Sequence, residues 1–153
     1  MKVKQSPDDF IVEELTDAVV SNEGQFAFYK LEKTGWTTPD ALAMIRRRWD
    51  IHHDRMSYGG LKDRHAVTTQ YLSIYRGPER NLEQEGIQVT YLGRVREPYS
   101  SQQIRANRFT LTLRSLEDPT RIEAAAKEVA ACGIPNYFDD QRFGSVERGG
   151  PFI

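Results

Sequence analysis

Hydrophobic and polar residues alternate with a period of two over most patterned segments of this chain, and with a helical period over two of them. Residues 10–16 (Phe-Ile-Val-Glu-Glu-Leu-Thr) read as a short strand, and residues 25–33 alternate around Phe26, Phe28 and Leu31 as a second. Thr38-Pro39-Asp40 then offers an N-cap, a proline at the first helical position and an early acid. Leu42, Ile45 and Trp49 follow on one helical face, which predicts a helix ending near Asp50. Residues 55–59 and 69–75 read as strands around the segment Gly60–Thr68. Residues 77–86 read as a connection, and 87–94 and 108–114 as further strands. In the last of these, Phe109, Leu111 and Leu113 alternate with Thr110 and Thr112, which predicts one buried and one polar face. A second helix is expected from Asp118-Pro119, with Ile122, Ala125 or Ala126, and Val129 on one side and Gly133 as its stop. The sum is an α+β fold: a mixed, mainly antiparallel sheet with helices on one face.

Composition narrows the class. A chain of 153 residues with 39% hydrophobic and 28% charged residues can bury a core and is globular rather than disordered. No apolar run reaches the roughly 18–20 residues of a membrane span, and the opening residues carry no signal-peptide pattern. Cys132 is the single cysteine, so no internal disulfide forms, and a cytoplasmic location is expected. Net charge is −1, but the charge is segregated. Residues 5–24 hold six acids and no Lys or Arg, whereas residues 94–114 hold five arginines and the single acid Glu97. Arg46, Arg47, Arg48 and Arg55 form a second basic group. Such a chain can present a positive face to phosphates, and ordinary solvated faces are the plainer reading.

Two runs carry candidate chemistry. In Gly59-Gly60-Leu61-Lys62-Asp63-Arg64-His65-Ala66-Val67-Thr68-Thr69-Gln70, a carboxylate sits between two cations behind a glycine pair. The glycines suit a close backbone approach, and the cations could hold Asp63 ionised. In an extended run, however, neighbours at i±1 point to opposite faces, and by itself Asp63 reads as a turn residue. The second run, Ile134-Pro135-Asn136-Tyr137-Phe138-Asp139-Asp140-Gln141-Arg142-Phe143-Gly144, interleaves three aromatics with Asn, Gln and Arg. That composition suits either a stacked, edge-read base or a core turn with buried aromatics.

Together these runs resemble the signature motifs of the TruD family of tRNA pseudouridine synthases. The pattern Gly-x-Lys-Asp-x-x-Ala-x-Thr-x-Gln fits Gly60, Lys62, Asp63, Ala66, Thr68 and Gln70 without a gap. Asn-Tyr-Phe-Gly-x-Gln-Arg-Phe-Gly fits residues 136–144 except that Asp139 stands where the family has Gly, a residue that tolerates positive φ better than most. Lys4-x-x-Pro7-x-Asp9-Phe10-x-Val12-x-Glu14, Lys33-Thr34-Gly35-Trp36-Thr37-Thr38 and Asn107-x-Phe109 resemble further family motifs, with Ala106 where Gly is common.

The resemblance implies conversion of uridine to pseudouridine in tRNA, at uridine 13 in bacterial relatives, with no metal and no small-molecule cofactor. Asp63 would be the catalytic carboxylate, acting either by attack on the uridine or by proton abstraction at ribose C2′. Phe138 would stack on the flipped uracil. Asn136 would read the base edge or position Asp63, and Lys4 would balance carboxylate or phosphate charge. Lys62, Gln70 and Arg142 join them as substrate-binding candidates, and Arg94, Arg105 and Arg108 as holders of the RNA backbone. Residues 1–153 would form the N-terminal part of a pseudouridine synthase catalytic domain, without the inserted domain and the C-terminal half. The ending at Gly149-Gly150-Pro151-Phe152-Ile153 also reads as that of a truncated chain. A full-length monomer acting on tRNA, with no membrane partner, is expected. The alternative is a non-catalytic RNA-binding module of the same fold.

Overall fold

The computed structural model describes residues 2–134. Residues 2–115 belong to one compact unit, and a second begins at Leu116. In the first unit the strands are β1 (Phe10–Thr16), β2 (Phe26–Thr34), β3 (Met56–Tyr58), β4 (Val67–Tyr75), β5 (Leu82–Gln84), β6 (Ile87–Val95) and β7 (Ile104–Leu111), with one helix, α1 (Thr38–Trp49). They form one sheet in the order β5-β6-β2-β4-β1-β7, with β3 also on β4. The β1–β4 pairing is parallel and the others are antiparallel. The expected mixed, mainly antiparallel α+β class is therefore the observed one.

Period-two alternation builds the core. On β2, Ala27, Tyr29 and Leu31 join Leu72 and Ile74 of β4 under α1, where Ala41, Leu42, Met44 and Ile45 bury the helix's apolar stripe. The opposite face collects Phe28, Tyr71, Val95 and Tyr99. The start of α1 differs by one residue from the expected cap. Thr37, not Thr38, is the N-cap, accepting a hydrogen bond from Asp40 N at 3.2 Å. Thr38 lies inside the helix and is fully buried, which frees its hydroxyl for a tertiary contact. Asp50 closes the helix in the left-handed region at φ 53°.

Two strand expectations need correction. Leu82–Gln84 pairs with β6 inside what reads as a connection, because three residues are too few to show a period. The strand read as 108–114 runs instead from Ile104 to Leu111, in register with β1 from Thr16↔Ile104 to Phe10↔Leu111. Pairing with β1 fixes these limits, not the alternation around Phe109. Phe109 and Leu111 are 59% and 55% exposed on this edge strand, so the predicted buried face is open.

β4 shares one edge between two partners. β1 pairs with Val67–Thr69 and β3 with Leu72–Ile74. The chain from the end of β3 to the start of β4 leaves the sheet where these partners part, and Asp63 lies in that connection. Tyr71 N–H faces the same gap and donates to Glu14 Oε1 at 3.2 Å in place of a neighbouring strand.

α2 (Pro119–Cys132) matches its expected limits. Asp118 caps it by accepting from Arg121 N at 3.2 Å, and Gly133 ends it at φ 74°.

The segment before β1 is tied to the far end of β7. Lys2 and Arg114 exchange backbone hydrogen bonds at 2.8 and 2.9 Å. The Arg114 guanidinium grips the buried Asp9 carboxylate, with Nε 2.9 and 3.0 Å from its oxygens and Nη2 at 2.7 Å. Asp9 Oδ2 also accepts from Gln5 N and Ser6 N. The Arg114 hydrogen bonds, helped by these amides, lower the Asp9 pKa to about 2 from 3.8. A depressed carboxylate pKa stabilises fully above the unfolded value and is lost as pH falls through the folded one. Residues 2–9 should therefore stay protected down to about pH 4 and detach between about pH 4 and 2, read by amide exchange at Gln5 and Ser6. Asp9→Asn should show the same loss of protection at neutral pH.

Candidate active site

Asp63 presents an exposed carboxylate, 58% accessible, to a cleft of about 450 Å³ lined by Val12, Leu61, Lys62, Arg64, Asn107 and Phe109. That volume lies within the range of small-molecule clefts. A second cavity of about 440 Å³ lies between Ala18, Val95 and Tyr99, away from Asp63.

Lys4 reaches the cleft from the tethered N-terminal segment. Its Nζ lies 3.9 Å from Asp63 Oδ2 and 3.7 Å from the centre of the Phe10 ring. Both partners of this pair are solvated, so it contributes about 0–1 kcal/mol and leaves the ammonium free to meet a substrate charge. Lys4 itself sits at φ 54°, a left-handed conformation that costs a lysine about 1–2 kcal/mol. The Lys2–Arg114 bridge and the Asp9 hydrogen bonds hold the chain on either side of it.

The remaining motif residues turn inward. Lys62 lines the cleft but its ammonium is engaged by protein groups, its Nζ 2.8 Å from Glu14 Oε2 and 2.8 Å from Asn107 Oδ1, with a side chain only 8% exposed. Glu14 is fully buried, and Tyr99 Oη donates to its Oε1 at 2.8 Å. Gln70 is also fully buried. Its Oε1 accepts from Thr38 Oγ1 at 2.9 Å, and its Nε2 donates to Gly60 O at 3.3 Å. Thr38 Oγ1 in turn accepts from Lys62 N at 3.0 Å. Lys62 and Gln70, expected to bind substrate, thus direct their polar groups to Glu14 and Asn107 and to Thr38 and Gly60 in this structure. Alternation explains the geometry: Ala66, Thr68 and Gln70 are all buried, and Lys62 and Asp63 diverge as i±1 neighbours in an extended run do.

Gly59 serves packing, since a Cβ there would lie 2.5 Å from Ile104 Cδ1, whereas Gly60 has open space beside it. Asn136, Phe138 and Arg142 lie outside the described residues. Arg94 is engaged by Glu79 at 2.6 Å, while Arg105 and Arg108 form looser, exposed pairs with Asp17 and Glu13 at 3.9 and 3.7 Å.

Sequence reasoning gave no role to Lys33 and none to Glu14 beyond its motif. Lys33 is buried and its Nζ donates to three backbone oxygens, of Trp36, Lys62 and Asp63. Both residues had a legible signal. Glu14 continues the buried series Phe10, Val12, and Lys33 continues Ala27, Tyr29, Leu31, each at a spacing of two. A charge on an apolar period marks a buried polar group that needs a partner.

The sheet and the helix packed on it have the fold of the pseudouridine synthase catalytic-domain type. A solved tRNA pseudouridine synthase D from Methanosarcina mazei superposes with a TM-score of 0.85 at 32% identity, over 94% of this chain and 35% of that one. Residues 1–149 match the sequence model of the family tRNA pseudouridine synthase D (TruD), and the chain belongs to that family. It is 34% identical over 151 residues to tRNA pseudouridine synthase D 1 of Methanococcus maripaludis, covering 97% of this chain and 39% of the relative. It is 40% identical over 149 residues to tRNA pseudouridine synthase D of an Anaeromyxobacter species, covering 95% and 42%. The chain therefore spans about two fifths of the length of the curated relatives it matches.

The buried ion pair should matter to stability. Glu14→Ala leaves the Lys62 ammonium buried without its counter-charge and orphans the Tyr71 amide, and should cost about 3–5 kcal/mol in urea unfolding.

Proposed function

We propose that this chain supplies the uridine-isomerising site of a tRNA pseudouridine synthase, with Asp63 as its catalytic carboxylate. The observation that carries the reading is an exposed Asp63, beside Lys4 in an open cleft, in a chain of the TruD family. The N1–C1′ bond of the target uridine breaks, the uracil turns, and C5–C1′ forms. The C5 proton is lost and N1 gains one, so the reaction is an isomerisation that needs no metal or cofactor. Asp63 acts by adding to the uridine or by taking the C2′ proton, and its solvent-facing position serves either step. The uridine must leave its stack at a cost of a few kcal/mol. Phe138 offsets part of this by stacking, at roughly 1–3 kcal/mol, with Asn136 and Arg142 beside it. Lys4 balances the charge of Asp63 or of an adjacent phosphate. Arg105 and Arg108, whose present ion pairs are weak, exchange them for RNA phosphates.

Residues 1–153 form the N-terminal part of the catalytic domain in this reading, and uridine 13 of tRNA is its expected target. A monomeric, cytoplasmic enzyme fits the tRNA substrate. Among the described residues no helix is long and apolar enough to cross a membrane.

Asp63→Asn in a full-length chain carrying this segment should abolish pseudouridine formation, by at least about 10³-fold in single turnover, while tRNA binding changes little. Retained turnover would remove Asp63 from the mechanism. Residues 1–153 alone should turn over unmodified tRNA weakly at best, scored by mass spectrometry of digested product. Binding with no modification by the full-length chain would favour the RNA-binding module.

A further inference from the structure

Lys33 has no part in the chemistry described so far, yet it is the most costly side chain beneath the reacting loop. It lies at the end of β2, 2% exposed. Its ammonium donates to Trp36 O at 2.8 Å, to Asp63 O at 2.8 Å and to Lys62 O at 3.3 Å. Those three bonds use every proton the ammonium has. All three acceptors are neutral carbonyls, so among the described residues a full charge is buried without a counter-ion in contact. A methionine of similar volume would fill the space without that desolvation penalty.

We propose that Lys33 is a positioning residue for Asp63, fixing the reacting carboxylate by clamping its own backbone carbonyl to the connection between β2 and α1. The proposal rests on the reading of Asp63 as the reacting group. One end of the clamp is the Trp36 carbonyl, just before α1, and the other is the Lys62–Asp63 peptide pair. Arg64 completes the seam, with Nε donating to Gly35 O at 3.1 Å while Gly35 N donates to Arg64 O at 3.2 Å. No apolar side chain does this work. From Gly60 to His65 none of the residues is buried, so the loop has polar anchors alone. A reacting atom displaced by about 1 Å can lose a hundredfold in rate, which is the scale on which such a clamp acts.

The electrostatics run the same way. Burial lowers the Lys33 pKa to about 8 from 10.5, the Asp63 carboxylate opposes that fall, and the Lys62 ammonium adds to it. The sign for global stability is opposite to that of an ordinary ion pair. A lysine whose folded pKa is depressed burdens the fold while both states are protonated, and the burden lifts as pH rises from about 8 toward 10.5.

Lys33→Met in the full-length chain separates positioning from plain stability. At pH 7 the thermal midpoint should hold or rise. Amide exchange at residues 62–65 should quicken at least tenfold, and kcat should fall about 10–100-fold with KM changed less than threefold. Unchanged loop exchange together with unchanged kcat overturns the proposal, and so does a fall in thermal midpoint that accounts for the lost activity. A second measurement needs no change at Lys33. The Lys33 Nζ titration, followed by nitrogen-resolved NMR, should move below about 8 in Asp63→Asn, and an unmoved titration overturns the coupling. A loosened loop with full turnover in both Lys33→Met and Asp63→Asn would overturn the reading of Asp63, and the positioning role with it.

Discussion

The loop that carries Asp63 contains no buried apolar residue from Gly60 to His65, so the hydrophobic effect cannot hold it. It is held by polar groups that reach it from the sheet and the helix. Gln70 takes Gly60, Thr38 takes the Lys62 amide, Lys33 takes the Lys62 and Asp63 carbonyls, and Glu14 takes the Lys62 ammonium. Each of these four side chains is buried on an element that is itself anchored by the core. The position of an exposed carboxylate is thus set by groups buried beneath it. A loop packed by leucines would instead present an apolar surface where, in the proposed function, a charged nucleic acid approaches.

This arrangement exists because the sheet is interrupted. β4 gives one half of an edge to β1 and the other to β3, and the peptide groups between them must find other partners. Glu14 supplies one by accepting from Tyr71 N. Once a carboxylate is buried there it needs a cation, and Lys62 provides it from the loop. The same pair therefore closes the gap in the sheet and pins the residue next to Asp63. Tyr99 ties the opposite face into the same group through Glu14 and through its own amide on Ser73.

The legible and illegible parts of the sequence divide along physical lines. β1 was readable to the residue and α2 to its caps, because each has its own period or its own end signals. β7 was displaced because its limits come from pairing with β1 rather than from its own alternation, and β5 was too short to have one. In the site, the motif located Asp63 but did not show which way its neighbours point. The motif marked Lys62 and Gln70 but not their partners, Glu14 and Thr38, which are distant in the chain. The inward direction of Gln70 was nonetheless implied by its spacing from Ala66 and Thr68.

That spacing also explains why the motif has the form it does. Asp63 is the one residue of the Gly60–Gln70 pattern whose polar group faces the open cleft. Ala66 must be small to pack on Phe10 and Val12, Thr68 and Gln70 must be polar and buried, and Lys62 must reach Glu14. Most of the pattern is therefore a description of how to hold a loop. By the same argument, a family motif of this kind identifies the scaffold more securely than it identifies contacts to a substrate. In the proposed function, those contacts are to be sought on the exposed side of the cleft, at Lys4, Arg64 and Phe109.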